Sequence, residues 1–396
     1  MSALALAGVD RRAIGALAVG HCASDFCQGC VPALLPFLIR DRGYSYAAAG
    51  ALFLIASLGS SLIQPLLGHY ADQIAAGWLM PAGALLGGIG IALAGVLESY
   101  WACAGGLLAG GVGVAAFHPE GARFASYVSG GTPATGMSLF SVGGNAGFAL
   151  GPIAVALCVG LGGLHATPLL FLLPLAASLA LATQMPYLER FRPAPVERHE
   201  RGGADDWPAF SLAAGVSVTR TGAAFGLQAF IPSYFLVELS SSAEVGEWVV
   251  SAMLAAGAVG TLIGGRSADR RGNRVTMVWS LALFAALSAA LPLAPLVGVV
   301  VLVVLCGLVM DASYSPTVVL AQGFLARRVG LASGITLGLS VGAGALCVWL
   351  LGLLADAEGL RAALVAITGL VVCAWALSLA LPRELRASAS GGRRRG

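Results

Sequence analysis

Uncharged or nearly uncharged stretches of about 20 residues recur along this chain from residue 13 to residue 381. A helix needs roughly that many apolar residues to cross the hydrocarbon core of a bilayer. Twelve such stretches are legible: 13–39, 46–70, 78–97, 101–124, 134–160, 166–186, 208–237, 245–266, 274–292, 296–322, 330–354 and 359–381. With 58% of residues hydrophobic and 10% charged, the chain would aggregate as a soluble domain. The first stretch is too long for the core of a signal peptide, and no cleavage site with a soluble domain follows it, so it reads as a span.

Charge placement sets the expected orientation. All 22 basic residues are arginine, and 17 of them, among them Arg11, Arg12, Arg266 to Arg274 and Arg393 to Arg395, fall on one side of these spans. Arg40, Arg42 and Arg361 fall on the other, while Arg123 and Arg220 lie within spans. Positive charge collects on the cytoplasmic side, which places both termini there. The expected organisation is a six-helix bundle (1–186), a proline-, glycine- and charge-rich cytoplasmic linker (187–207), a second six-helix bundle (208–382) and a basic tail (383–396). All eight cysteines lie in apolar spans. Cys27 and Cys30 have CxxC spacing, but without partner ligands or a βαβ unit the reading is small-residue packing, with no metal and no cofactor.

The halves repeat. Gly68 and Asp72 follow the second span, and Gly265 and Asp269 follow the eighth 197 residues later. At the same offset Phe117-His118-Pro119 falls on Tyr314-Ser315-Pro316, and Ser141-Val142-Gly143 falls on Ser340-Val341-Gly342 at 199. A register held over several elements marks a duplication. The expected fold is an all-α membrane protein of twelve helices in two parallel pseudo-symmetric bundles, with a binding site at their interface near the midplane.

A charge at mid-bilayer costs at least ~2.5–3.5 kcal/mol on insertion scales, so intramembrane ionisable groups mark candidate sites. His21, Asp25, Gln28 and Pro32 form one stripe of the first span at helical period. An imidazole and a carboxylate one turn apart suit protonation-linked work, because histidine titrates near neutrality. The stretch "AFHPEGARFA" (116–125) adds His118, Glu120 and Arg123; the last two share a helix face, and Pro119 permits a kink. In the second half, Ser217, Arg220, Thr221 and Gln228 share a face of the seventh span, and Asp311 lies in the tenth. Arg220 requires an anion, either a carboxylate of the other bundle or an anionic ligand. Weaker polar stripes ending in Gln64 and in Asn145 are interhelical hydrogen bonds or ligand contacts.

The twelve spans, the duplication and the Gly-x-x-x-Asp loops resemble the major facilitator superfamily. "GRSADRRGNR" (265–274) fits its loop motif, whereas "GHYADQIAAGW" (68–78) keeps Gly68 and Asp72 but lacks the basic residues that follow. More narrowly, "GHCASDFCQGCVPALLPFL" (20–38), "GVAAFHPEGARFA" (113–125), "GNAGFALGP" (144–152) and "GLASGITLGLSVGAGAL" (330–346) are similar to the fosmidomycin-resistance group. That resemblance implies a monomeric proton-driven antiporter of the bacterial inner membrane. Its partners are the bilayer, protons and a small, anionic drug such as the phosphonate fosmidomycin, with no nucleic acid. Asp25 and Glu120 are then the candidate proton carriers, with His21 and His118 as relays. Arg123, Arg220, Gln28, Gln64, Asn145 and Asp311 are candidate substrate contacts, and Gly68, Asp72, Gly265, Asp269, Arg270 and Arg271 candidate gating residues. The alternatives are a proton-linked importer of an organic anion and an intramembrane metalloenzyme using His118 and Glu120. Against the latter, no His-Glu-x-x-His spacing and no second histidine on that face are present.

Overall fold

The computed structural model describes residues 9–64, 67, 76–130, 133–192, 205–325, 332 and 334–382, and among them there are helices and turns but no strand. The first half contains α1 (Arg11–Arg42), α2 (Tyr46–Ser61), α3 (Leu79–Val96), α4 (Tyr100–Tyr127), α5 (Pro133–Gly162) and α6 (Leu172–Leu188), the last entered through a 3-10 helix, Gly163–Phe171. The second contains α7 (Trp207–Val237), α8 (Ala243–Arg271), α9 (Asn273–Ala290), α10 (Leu296–Ala312), α11 (Tyr314–Phe324), α12 (Ser340–Glu358) and α13 (Leu360–Ala380). A π-helical turn, Gly334–Leu339, leads into α12. Since α10 and α11 together occupy one expected span, helices stand at all twelve places.

Among the described residues, nine helical stretches are long and apolar enough to cross a membrane, one of them the 53-residue run Leu139–Phe191 that holds two rods. Tyr46–Ser61 is shorter, and α7 is diluted by Arg220, Gln228 and its hydroxyl residues. Asp10 caps α1 by accepting from Ala13 N at 2.8 Å and from the Tyr187 hydroxyl at 2.7 Å, which ties the helix start to the end of α6. Burial raises the Asp10 carboxyl, but these two hydrogen bonds, together with the backbone N–H and the charge of Arg12, outweigh it and hold the group below the usual carboxylate range. Gly43 ends α1 at φ +66°, a left-handed closure that favours glycine.

The proline that the two halves share was expected to permit a kink in each, and the two sites differ. In the tenth span the helix stops at Ala312, where Ser313 turns and bonds Met310 O through its hydroxyl, with Pro316 three residues on. In the fourth, α4 is one helix with Pro119 inside it. A proline removes one ladder donor in each case; the neighbouring hydroxyl helps make a turn of only one of them.

Tight packing of α5 on α1 dominates the first bundle. A Cβ at Gly143, Gly147 or Gly151, four residues apart, would strike the backbone of Ala18, Cys22 or Gly29, so only hydrogen fits along that stripe. The two bundles meet where α1 lies on α7, α2 on α12 and α5 on α8. At the end away from the termini, one apolar cluster joins both halves and includes Phe37, Phe53, Phe225, Phe230 and Val348. At the terminal end the core is in two pieces, one around Leu17, Phe117 and Phe124 and the other around Phe210, Met277 and Leu320. Polar clasps reinforce the far end: Arg40 reaches Glu244 at 3.0 Å, and Asp356 accepts from Tyr46 N at 2.7 Å and Ala47 N at 2.9 Å. That carboxylate stabilises the exposed N–H groups at the start of α2.

Candidate functional site

His21 and Asp25 lie one turn apart on α1, and α4 brings His118 to the same carboxylate. His21 Nε2 is 3.3 Å from Asp25 Oδ2, and His118 Nε2 is 3.0 Å from Asp25 Oδ1. Each ring is committed at its other nitrogen: His21 Nδ1 to Phe140 O at 2.8 Å, and His118 Nδ1 to Val114 O at 2.9 Å. A carbonyl only accepts, so both Nδ1 atoms carry hydrogen. Each Nε2 then faces a carboxylate oxygen and needs a further proton between them, on the ring or on the acid. Phe140 stacks on the His21 ring at 4.0 Å between centroids, fixing its plane. The backbone of Gly144 closes the other side, where a Cβ would stand 2.5 Å from Asp25 Oδ2 and from His21 Cε1.

The donor atoms of His21, Asp25 and His118 lie within 4.8 Å of one another, a spacing that a cation would also accept. Glu120 takes no part in that group.

A second polar group stands on the other bundle. Arg220 Nη1 meets Asp311 Oδ1 at 3.4 Å, and its guanidinium lies 5.1 Å from the Tyr314 ring centroid. The anion beside Arg220 therefore comes from its own bundle, where the expectation had been a carboxylate of the other bundle or an anionic ligand. Asp311 nests against Gly257 of α8, where any Cβ would overlap its carboxylate. The Arg220 Nε has no partner among the described residues.

Glu120, Arg123 and a residue that sequence reasoning passed over form a third group. Glu120 is fully buried and bonds Arg123 at 2.5 Å; Arg192, beyond the 3-10 turn Glu189–Phe191, reaches it at 3.5 Å and bonds Glu189 at 2.7 Å. Arg192 had been counted with the linker, and nothing in its spacing ties it to position 120.

Gln28 lines a small cavity of about 30 Å3 with Ser57, Ser60, Phe53, Phe148 and Phe225, beside the joined core. Gln64 is half-buried just past α2, and Asn145 is exposed on α5 next to Gly144. Ser217 bonds Thr336 O at 2.9 Å and Ser340 at 3.1 Å, an interhelical link rather than a free polar surface. Gly265, Asp269, Arg270 and Arg271 end α8, the last three exposed and without an ion pair among the described residues. Gly68 and Asp72 lie outside the described residues.

Helical rods in two bundles, joined at one end and divided at the other, with ionisable groups on both sides of the seam, define a membrane transporter rather than an enzyme. The Major Facilitator Superfamily profile matches residues 17–236 and again residues 212–395, and the chain belongs to that superfamily. It is 30% identical over 372 residues to the uncharacterized MFS-type transporter YfnC of Bacillus subtilis (strain 168), covering 90% of this chain and 89% of that one. It is 28% identical over 349 residues to the fosmidomycin resistance protein of Escherichia coli (strain K12), covering 87% and 86%. Among solved structures, a bacterial homolog of the human lysosomal transporter Spinster, inward-facing and occupied, superposes with a TM-score of 0.77 at 15% identity, covering 92% and 95%. The nucleoside transporter NupG gives 0.72 at 14%, covering 93% and 100%.

Proposed function

We propose that this chain is a proton-coupled antiporter that exports a small anionic compound, of the kind represented by fosmidomycin, from the bacterial cytoplasm by alternating access. The observation that carries the reading is Asp25 held between two imidazoles whose outer nitrogens are already committed to carbonyls. Such a cluster stores protons; withdrawing them sets lone pairs against lone pairs and loosens α1 from α4. The relative named for fosmidomycin resistance supports the substrate class. The arginine bias supports cytoplasmic termini in the inner membrane, which makes the divided end the cytoplasmic one and this state inward-facing.

In this mechanism an anion entering from the cytoplasm competes with Asp311 for Arg220, while Gln28, Gln64 and Asn145 supply hydrogen bonds. Asp25 and Glu120 carry protons, relayed by His21 and His118. Protonating Glu120 releases Arg123 and Arg192, so the segment after α6 is freed in step with the cycle. Asp72 and Asp269 latch the cytoplasmic side, with Gly68, Gly265, Arg270 and Arg271 shaping the two loops. The bundles are units of 1–186 and 208–382 joined by 187–207, and the chain works as a monomer.

Purified protein in proteoliposomes, with a pH gradient imposed and a labelled phosphonate as cargo, tests this. Asp25→Asn and Glu120→Gln, each checked for insertion, should lose gradient-driven exchange; full transport by both sinks the assignment. Resistance to phosphonates on expression indicates export, whereas a gain of growth on an organic anion indicates uptake.

A further inference from the structure

Glu247 stands one turn into α8, fully buried, and neither of its carboxyl oxygens has a hydrogen-bond partner among the described residues. Two polar atoms of the same region share that condition: Ser251 Oγ, one turn further along α8, and Gln228 Oε1 of α7. Val249, Val250 and Met253 on its own helix belong to the apolar cluster that joins the bundles at the far end. A carboxylate has thus been enclosed in the seam that must part if the far end opens.

No positive charge accompanies it. Glu244, three residues earlier on the same helix, has the same sign of charge, and α1, which packs on α8, brings the Cys30 thiol. Of the helices packed on α8, α5 brings Cys158, α7 brings Tyr234 and Glu238, α10 brings Cys306 and Asp311, and α11 brings Tyr314. The arginines are engaged elsewhere. Arg40 of α1 holds Asp41 and Glu244 at the rim, Arg274 of α9 bonds Leu379 O and Leu381 O, and Arg220 is paired with Asp311. That last pair sits beside Gly257, ten residues along α8, about 15 Å away at 1.5 Å per residue. An unpaired ion in such a place is far costlier than the neutral acid, which is only a buried polar group.

We propose that Glu247 is a proton-operated lock on the far gate: the bundles close over it only when the side chain carries a proton. Parting α1 from α8 would hydrate it and let the proton exchange with the outer solution. The far-closed state therefore holds one proton more than the far-open state. Acid favours closing and alkali favours opening, by about tenfold in their ratio per pH unit wherever the open-state carboxylate is ionised. The inference rests on the proposed function only in needing the bundles to rock; it is independent of Asp25 and of the cargo.

The test is a spin-label distance measurement on the full chain in nanodiscs, cysteine-free and carrying Glu98→Cys and Glu358→Cys, both exposed at the far end on opposite bundles. From pH 5 to 9 the long-distance population should grow about tenfold per unit over the titrating range. Glu247→Gln and the apolar Glu247→Met should hold the far end closed and flatten the curve, while Glu244→Gln at the rim keeps its slope. A Glu247→Gln curve that follows the unsubstituted chain, or an opening indifferent to pH, overturns the lock alone. No far-open population in any chain overturns the lock and the rocking motion together.

Discussion

Gly144 of α5 lies against the His21 imidazole of α1, so close that a single methyl group there would stand 2.5 Å from the ring carbon between its two nitrogens. The contact makes α5 part of the proton-bearing cluster without contributing a polar atom. Gly144→Ala should push the ring or the Asp25 carboxylate out of register, and misplacement on the order of 1 Å is enough for a loss of about 10²-fold. Gly160→Ala, in the same helix with nothing within 4 Å, should transport normally. Initial rates in proteoliposomes, with unfolding temperatures for both, separate a displaced site from a damaged helix.

The Arg220–Asp311 pair joins α7 to α10, with Arg220 nearly buried and Asp311 a quarter exposed. Arg220→Ala strands a half-enclosed carboxylate, and after allowing for solvent at Asp311 the expected destabilisation is about 2 kcal/mol. Adding Asp311→Asn removes the stranded charge and should recover more than half. A double-substitution cycle on unfolding free energy reads the coupling directly; additive effects would mean that the pair contributes no interaction.

Asp356 accepts two backbone N–H groups of α2 from the opposite bundle. Asp356→Asn keeps an acceptor but loses the negative charge facing the helix start, a change of about 1 kcal/mol. The far-open population should rise roughly fivefold, the Boltzmann equivalent of that loss, and labelled positions across the far end would report it. An unchanged population would show that the clasp forms without biasing the gate.

The span pattern was legible because lipid imposes a length that no tertiary contact can waive, and α1 and α8 begin within two residues of their expected limits. His21 and Asp25 were legible as a pair because one helical turn separates them. His118 was visible as a polar oddity, but its meeting with Asp25 crosses 93 residues and depends on how α1 and α4 pack. Arg220 misled for the same reason: a guanidinium advertises its need for an anion, not which helix supplies it. Arg192 and Glu247 escaped notice differently. The first has the composition of a linker, and the second sits near a span end, where a carboxylate ordinarily meets water. The unlike behaviour of Pro119 and Pro316 lies beyond local reading too, since the same residue is carried through in one helix and stands just past a turn in the other.

The two ends of the seam are built of different material, one continuous apolar core at the far end and two separate ones at the end that holds the termini. Opening the far end must wet a surface rich in Phe53, Phe225 and Phe230, whereas closing it dries that surface again. Burial of that kind weakens as water cools, so the balance between the two ends is itself a thermometer: chilling alone should turn more of the population to the far-open form, with no change in cargo or gradient.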